Sequence, residues 1–391
     1  MTRRLALVLL AVAAAQASQY IVRPLTSYRL LALGAGAREV GLVTAAFALV
    51  PMLVAIPLGR LTDSRRSTPL VAGGAAVLAV ASALLGLASN VAAIAAATAL
   101  FGLGHLALML GAQNVIARES ADELHDRRFG LFTATVSLGQ MLGPLLGGYV
   151  LSSRGHLGLI GATGRGMEIA AGVAALATLF GLAAGRGPAR EDKPAEDMRH
   201  GGTIRALART PGVPAGIFAS LVVLSCVDVF TAYLPVLGQQ RAISPGVVGL
   251  LLALRAAASF CARIGIATAV SRVGRTRLIA CSALASAVGV VLVTATRDTA
   301  VLAILSLLVG YGLGFGQPLT MTLVVQTVPA SARATALGLR LTGNRIGQVA
   351  TPALAGLLAG GAGVTPVFWL LGGLLVSSAA AVHRSQPGAN D

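Results

Sequence analysis

The stretch Gly139-Gln-Met-Leu-Gly143-Pro144-Leu-Leu-Gly147-Gly148 sits inside an apolar run long enough to cross a bilayer. Glycines at four-residue spacing share one helix face and let a neighbouring backbone come close. Pro144 removes one helical hydrogen bond and bends the helix there. Within a membrane such a break survives only where protein or a cavity covers the freed carbonyl. The stretch therefore reads as a packing seam and flexible point between two bundles, not as a wall facing lipid.

The seam occurs twice. Gly347-Gln-Val-Ala-Thr-Pro352-Ala-Leu-Ala-Gly356 repeats it 208 positions on, Gly139 falling on Gly347, Gln140 on Gln348, Pro144 on Pro352 and Gly148 on Gly356. The same offset pairs Gly102 with Gly310, Gly104 with Gly312, Gly130 with Gly338, and Val40-Gly41-Leu42 with Val248-Gly249-Leu250. One constant offset across five helices implies two copies of one unit, and parallel repeats of this kind mark transporters.

The 391 residues are 55% hydrophobic and 11% charged, against about 25% charged in soluble domains. That balance places the chain in a bilayer. The net charge of +16 comes from basic residues that are all arginine except Lys193. If they cluster in the loops of one face, nucleic acid is excluded as the partner. Cys226, Cys261 and Cys281 fall in apolar runs with no metal spacing and no paired framework, so they read as buried small hydrophobes. Arg3 and Arg4 precede an apolar stretch that continues to Leu33 without a polar cleavage region, which reads as a first span and not a signal peptide.

Spans need about 20 apolar residues each. Twelve are placed, at 5–31, 40–58, 70–87, 91–117, 129–151, 168–184, 213–237, 247–270, 278–296, 300–328, 334–358 and 364–382. Arginines crowd alternate loops: Arg3 and Arg4, then Arg60, Arg65 and Arg66, then Arg118, Arg127 and Arg128, and later Arg272, Arg275 and Arg277. The opposite loops hold Arg38, Arg154, Arg165, Arg241 and Arg297. The positive-inside rule then puts both termini in the cytoplasm, with the chain in the inner (plasma) membrane. The chain divides into a six-helix bundle at 1–185, a polar cytoplasmic linker at 186–212 and a second bundle at 213–391.

After span 2 the chain reads Gly59-Arg-Leu-Thr-Asp63-Ser-Arg65-Arg66, a glycine ending a helix with an acid and arginines close behind. Here the sequence resembles the major facilitator superfamily, whose signature between spans 2 and 3 is G-x-L-x-D-R-x-G-R. Gly59, Leu61 and Asp63 match, while Ser64 and Arg66 depart. In the second copy Arg272, Gly274 and Arg275 match, and Ser271 stands at the acid position. Gly139 to Gly148 fits the family's span-5 pattern G-x-x-x-G-P-x-x-G-G, which is similar to the one in drug and metabolite antiporters. The family's span-4 arginine, tied to proton coupling in exporters, is replaced by Thr98, four residues before Gly102. The resemblance implies an all-α membrane protein of twelve transmembrane helices. These would form two pseudo-symmetric six-helix bundles that rock around a central cavity. Spans 1, 4, 7 and 10 would line it, with 2, 5, 8 and 11 at its sides. On the same resemblance Gly59, Asp63, Arg65, Arg66, Gly139, Gly143, Pro144, Gly147, Gly148, Arg272, Gly274 and Arg275 would serve conformational gating.

Ionisable groups inside spans are costly and turn toward the bundle interior. Arg23, His105, Asp228, Arg255, Arg263, Arg340 and Arg345 all fall on spans assigned to the cavity and none on spans 3, 6, 9 or 12. Asp228 is the one acid deep in a span, with Arg23 or Arg255 as its neutralising partner. The remaining guanidinium groups would make the cavity electropositive and favour anionic or carboxylate-bearing substrates. Arg263 and Arg340 also read as snorkelling or lipid-phosphate contacts. Asp228 and His105 are the proton-coupling candidates. Arg23, Arg255, Arg340, Arg345, Tyr20, Gln113, Asn114, Gln140, Tyr233, Gln317, Asn344 and Gln348 are the substrate-binding candidates, since buried polar groups need partners. Many of the amides would only bridge helices.

No catalytic triad, metal-ligand cluster or phosphate loop is visible in the sequence, so no enzyme, cofactor or metal is expected. The reading is a proton-coupled exporter of small organic molecules by alternating access. The alternative is uptake or facilitated diffusion of an organic anion. Its partners would be a small-molecule substrate, protons and the lipid bilayer. One chain holds both halves, so a monomer suffices.

Overall fold

The computed structural model describes residues 2–63, 67–119, 125–153, 157–185, 207, 209–329 and 332–385. Among them are thirteen helices: α1 (Arg3–Ala32), α2 (Ala37–Asp63), α3 (Ser67–Leu87), α4 (Val91–Glu119), α5 (His125–Ser152), α6 (Leu159–Ala183), α7 (Val213–Gln240), α8 (Pro245–Ile264), α9 (Ile266–Val273), α10 (Arg275–Leu292), α11 (Thr299–Thr327), α12 (Arg333–Ala362) and α13 (Thr365–Arg384). Eleven of them contain stretches long and apolar enough to cross a bilayer. The two outside that class are the eight-residue α9 and the 30-residue α12. Arg333, Arg340, Asn344, Arg345 and Gln348 dilute the apolar content of α12.

The helices pack into two compact units. One takes α1–α6 with residues 231–253; the other takes residues 213–230 of α7, 254–264 of α8, and α9–α13. In the first, α1 packs on α5 and α6, α3 on α4 and α6, and α2 on α4; in the second, α10 packs on α11 and α13.

The duplication holds at the level of backbone contacts. A Cβ added at Gly102 would run into the carbonyl of Phe47, and one at Gly310 into the carbonyl of Arg255. Phe47 and Arg255 are themselves 208 positions apart. A Cβ at Gly104 would lie 2.8 Å from the Gly74 carbonyl, and one at Gly312 would collide with the carbonyl of Ser282, again the equivalent residue. Gly139 presses on Ala13, Gln16 and Ala17 of α1, and Gly347 on Leu221 and Ser225 of α7. Small residues at these crossings let backbones touch, which supplies the van der Waals contact that holds helices together in lipid.

Several sequence expectations are corrected. Gly59 does not end a helix: α2 stays helical through Asp63. The first turn of α2 takes in Arg38. Helix α6 starts at Leu159 and not at residue 168, so Arg165, read as a loop residue, lies inside the helix and Glu168 lies in its interior and not at its start. Within that added stretch Gly166 packs against Leu25 of α1, where a Cβ would lie 2.9 Å from Leu25 Cδ1. The eighth span stops at Ile264; Gly265 interrupts it, and α9 lays Ile266, Ala269 and Val270 on a core of Ala262, Leu278 and Ile279. Cys226 is buried as expected, but Cys261 and Cys281 are exposed, on the outer faces of α8 and α10.

Candidate functional site

Helix α12 turns one polar face inward. Arg340, Asn344, Gln348 and Thr351 are all buried on it. Opposite stands Asp228 of α7, 5% exposed. Gln348 donates from Nε2 to Asp228 Oδ2 at 2.8 Å and accepts at Oε1 from Arg345 Nη1 at 3.1 Å. The amide thus offers its donor to the carboxylate and its acceptor to the cation. Only this amide orientation satisfies both neighbours. Asn344 Oδ1 and Ser225 Oγ, close to this network, are buried without a hydrogen-bond partner.

A second network lies one to two turns away. Arg340 donates from Nη2 to the Gln317 carbonyl at 3.0 Å and to Gln317 Oε1 at 2.7 Å. Gln317 Nε2 donates to the Ser220 carbonyl at 2.7 Å. Arg340 therefore ties α12 through α11 to α7. Arg255 of α8 is the largest fully buried side chain, at 2% exposure. Burying guanidinium groups this deeply in an apolar helix set is costly and needs a function or a tight set of partners.

The α1–α6 unit presents aromatic rings at the equivalent positions of its own copy, Tyr20 and Phe47. Arg23 lies half-buried over Phe47, 4.4 Å from the ring centre, and 5.7 Å from that of Tyr20. A guanidinium over a ring face is held by the ring quadrupole. Phe47 also touches the His105 ring, centroids 5.7 Å apart, and His105 Nε2 lies 3.3 Å from Gln16 Oε1. Arg23, Tyr20 and His105 are thus gathered around Phe47, which the sequence reading passed over. Tyr233 is fully buried and donates its hydroxyl to the Ala37 carbonyl at 2.8 Å, pinning the start of α2. Asn114 accepts from Ser67 Oγ at 3.1 Å and bridges α3 to α4; Gln140 is half-buried, and Gln113 is exposed.

The opening stretch divides its work between two neighbours. Gly139 and Gly143 receive α1 at Gln16, Ala17 and Tyr20. Gly148 receives the start of α8, where its added Cβ would lie 2.9 Å from the Pro245 carbonyl and 3.1 Å from Gly249 Cα. Helix α5 runs through Pro144 without interruption.

The Major Facilitator Superfamily model matches residues 8–242 and 216–389. The chain belongs to the major facilitator superfamily. It is a transporter, not an enzyme, and an integral membrane protein. Solved superfamily folds agree over nearly the whole chain. A point mutant of the nucleoside transporter NupG superposes with a TM-score of 0.81 at 16% identity, covering 99% of this chain and 100% of that one. A POT family transporter in complex with 5-aminolevulinic acid gives 0.78 at 14% identity, over 100% and 97%. A bacterial homolog of the human lysosomal transporter Spinster gives 0.75 at 15%, over 98% and 97%. In sequence, the quinolone resistance protein NorA of Staphylococcus aureus (strain MRSA252) is 26% identical over 130 residues, 33% of this chain and 34% of its own length. The match therefore spans about a third of that curated relative.

Of the superfamily's loop signature, Arg65 and Arg66 lie outside the described residues, and for Gly59 and Asp63 only the helical backbone is described. Arg154 and nearly all of the linker also lie outside them. In the second copy Gly274 has φ +81°, a left-handed turn between α9 and α10 that favours glycine. Arg272 is exposed, and Arg275 bonds Gln326 Oε1 across to α11.

The sequence reading missed Arg29. It is 4% exposed, and all five of its donors are used. Nε and Nη2 reach the Ala88 carbonyl, Nη2 the Gly86 carbonyl, and Nη1 the Ile160 carbonyl and Thr163 Oγ1, at 2.6 to 3.3 Å. The guanidinium thus caps the C-terminal end of α3, where carbonyls lack helical partners, and holds the first turn of α6 beside it.

Proposed function

We propose that this superfamily transporter is a secondary-active exporter of small organic molecules, exchanging substrate for protons by alternating access. Its duplicated halves would be residues 1–185 and 213–391, joined by a cytoplasmic linker at 186–212, with both termini in the cytoplasm of a bacterial-type inner membrane. Asp228 is the proton carrier. Arg23, Arg255 and Arg345 recognise anionic or carboxylate-bearing substrate, with Arg340 holding the α12 face in position.

The observation that carries this reading is the chain from Arg345 through Gln348 to Asp228. It places one buried carboxylate in contact with a neutral amide that a guanidinium also holds. A carboxylate held this way can exchange its partners as the helices move, which is what a carrier of protons between two faces requires. The span-5 glycine–proline pattern and the partial likeness to a quinolone resistance protein support export. The 5-aminolevulinic acid bound by a fold relative is itself carboxylate-bearing, in keeping with the substrate class.

The test is transport in proteoliposomes with and without an imposed pH gradient. Asp228→Asn should lose gradient-driven accumulation yet keep substrate exchange at equal pH. Gradient-driven transport at the unmutated rate in Asp228→Asn overturns the assignment. Uptake or facilitated diffusion of an organic anion is the second reading. It is favoured by Thr98 standing where exporters carry an arginine. The direction of net flux in inverted vesicles separates the two.

A further inference from the structure

A groove of about 520 Å³ runs between α3 and α6, floored by small residues. Ala72 and Gly181 form its floor, where a Cβ on Gly181 would lie 2.9 Å from Ala72 Cα. Gly73 and Ala76 on α3 and Thr178 and Leu182 on α6 form its walls. From Thr68 to Ala76 it follows α3 for eight residues, about 12 Å at the helical rise. That is close to the depth of one hydrocarbon leaflet, about 15 Å. Both helices turn apolar side chains outward along this side, with Val80, Leu84 and Leu87 on α3 and Leu179 and Leu182 on α6 exposed. The groove therefore opens toward hydrocarbon.

Its polar end is charged. Arg4 of α1 bonds Thr68 Oγ1, and Thr68 lines the groove where α3 begins. Arg3 stands exposed beside it in sequence. Cation at the headgroup level, apolar slot below, is the pattern for an anionic amphiphile.

We propose that this groove is a site for one anionic phospholipid, an acyl chain lying between α3 and α6 and the headgroup phosphate on Arg4. The ligand is a component of the bilayer, and the site is separate from the polar faces of α1, α7 and α12. Small side chains keep the slot open, and the lipid chain fills what a larger residue would otherwise occupy.

The experiment measures thermal stability of the full chain in detergent during titration with phosphatidylglycerol, phosphatidylcholine or inorganic phosphate. Phosphatidylglycerol should raise the melting temperature with saturation, and phosphatidylcholine should need about fivefold more, the factor expected for one cation–anion contact at a membrane surface. Arg4→Gln should erase the difference between the two lipids, and Arg4→Lys should restore it. Gly73→Leu should abolish the saturable shift without harming the fold, because an added Cβ at Gly73 meets nothing within 4 Å. Equal responses to the two lipids, an unchanged response in Gly73→Leu, or full stabilisation by inorganic phosphate would each overturn the proposal. The last outcome would indicate a plain anion site.

Discussion

Helices α1 and α7 end in the same way, with one difference that can be measured. After α1, the Ala35 amide bonds the Leu30 carbonyl at 2.9 Å and the Gly34 amide bonds the Leu31 carbonyl at 3.1 Å. After α7, Ile243 bonds Gly238 at 2.9 Å and Ala242 bonds Gln239 at 3.3 Å. Both are paired closures around a left-handed residue, which satisfy carbonyls left open at the helix end. The left-handed residue is Gly34 at φ +79° in the first copy and Ala242 at φ +57° in the second. Ala242 is the one non-glycine residue with positive φ among those described.

An L-residue in this region suffers a clash of Cβ with its own backbone, costing about 1–2 kcal/mol. Glycine avoids that cost but gives up more unfolded-chain freedom, an offset of about 0.5–1 kcal/mol. The net gain for Ala242→Gly is therefore about 1 kcal/mol, and Gly34→Ala should lose a similar amount. Side-chain contacts do not blur the comparison. Both residues are exposed, and a Cβ at Gly34 has nothing within 4 Å. In a protein of this size such a change moves the melting temperature by about 1–2 °C, on the trend that the shift shrinks with chain length. Melting can be followed by labelling of Cys226, which is fully buried, in a Cys261→Ser, Cys281→Ser background that removes the two exposed thiols. A rise for Ala242→Gly with a fall for Gly34→Ala is expected. Shifts of the same sign in both variants would refute the argument that the two caps are equivalent and that one is strained.

Three further outcomes are expected. Gly102→Ala and Gly310→Ala should each destabilise strongly, because the new methyl meets the carbonyl of Phe47 or Arg255; Gly130→Ala and Gly338→Ala, the paired controls with open space around them, should be neutral or gain up to about 1 kcal/mol, as read by melting. Arg29→Met should lower the melting temperature by several degrees, since it strips donors from buried carbonyls at about 1–3 kcal/mol each before relaxation, and Arg29→Lys should recover only part of the loss. Tyr28→Phe should leave stability unchanged or raise it, because the hydroxyl it removes is buried without a partner; a clear loss would reveal an unseen partner such as a trapped water.

The repeat was legible because it rests on glycine. A glycine at a helix crossing is dictated by the approach of another backbone, and that demand recurs at the same offset in each copy. Gly102 and Gly310 announced such a contact, and their partners Phe47 and Arg255 fell at the same spacing. Arg29 was not legible, because its partners are backbone carbonyls at helix ends, which no side-chain pattern marks. The early start of α6 was hidden by Arg165. Charge suggests a loop, whereas here the helix simply extends beyond its apolar segment. The break at Gly265 was invisible for the opposite reason: the residues on both sides stay apolar enough to read as one span.

The comparison of copies also bears on where the chemistry lies. Positions that set backbone distance are retained between the halves, while neighbouring side chains diverge. Tyr20 of α1 corresponds to Asp228 of α7, and Phe47 of α2 to Arg255 of α8. In the first unit these positions build an aromatic platform on which Arg23 lies. In the second they supply a buried acid and a buried cation, and Gln348 reaches the acid from α12. Gln140, the counterpart of Gln348, sits on α5, which packs on α1, and the α1 position equivalent to Asp228 is Tyr20, so the same amide has no carboxylate of this kind to hold. Identical scaffolds thus carry unequal charge. On the proposed reading, proton transfer would belong to the α7–α12 network, while the rings of α1 and α2 would hold Arg23 for substrate. Exchanging the pair, with Tyr20→Asp and Asp228→Tyr together, should then fail to restore pH-driven transport, because the first copy carries Gln140 for Gln348 but Ser137 for Arg345, and so lacks the guanidinium that completes the network. Recovery of coupling in that double variant would show that the scaffold alone, and not the α12 network, determines where the proton is carried.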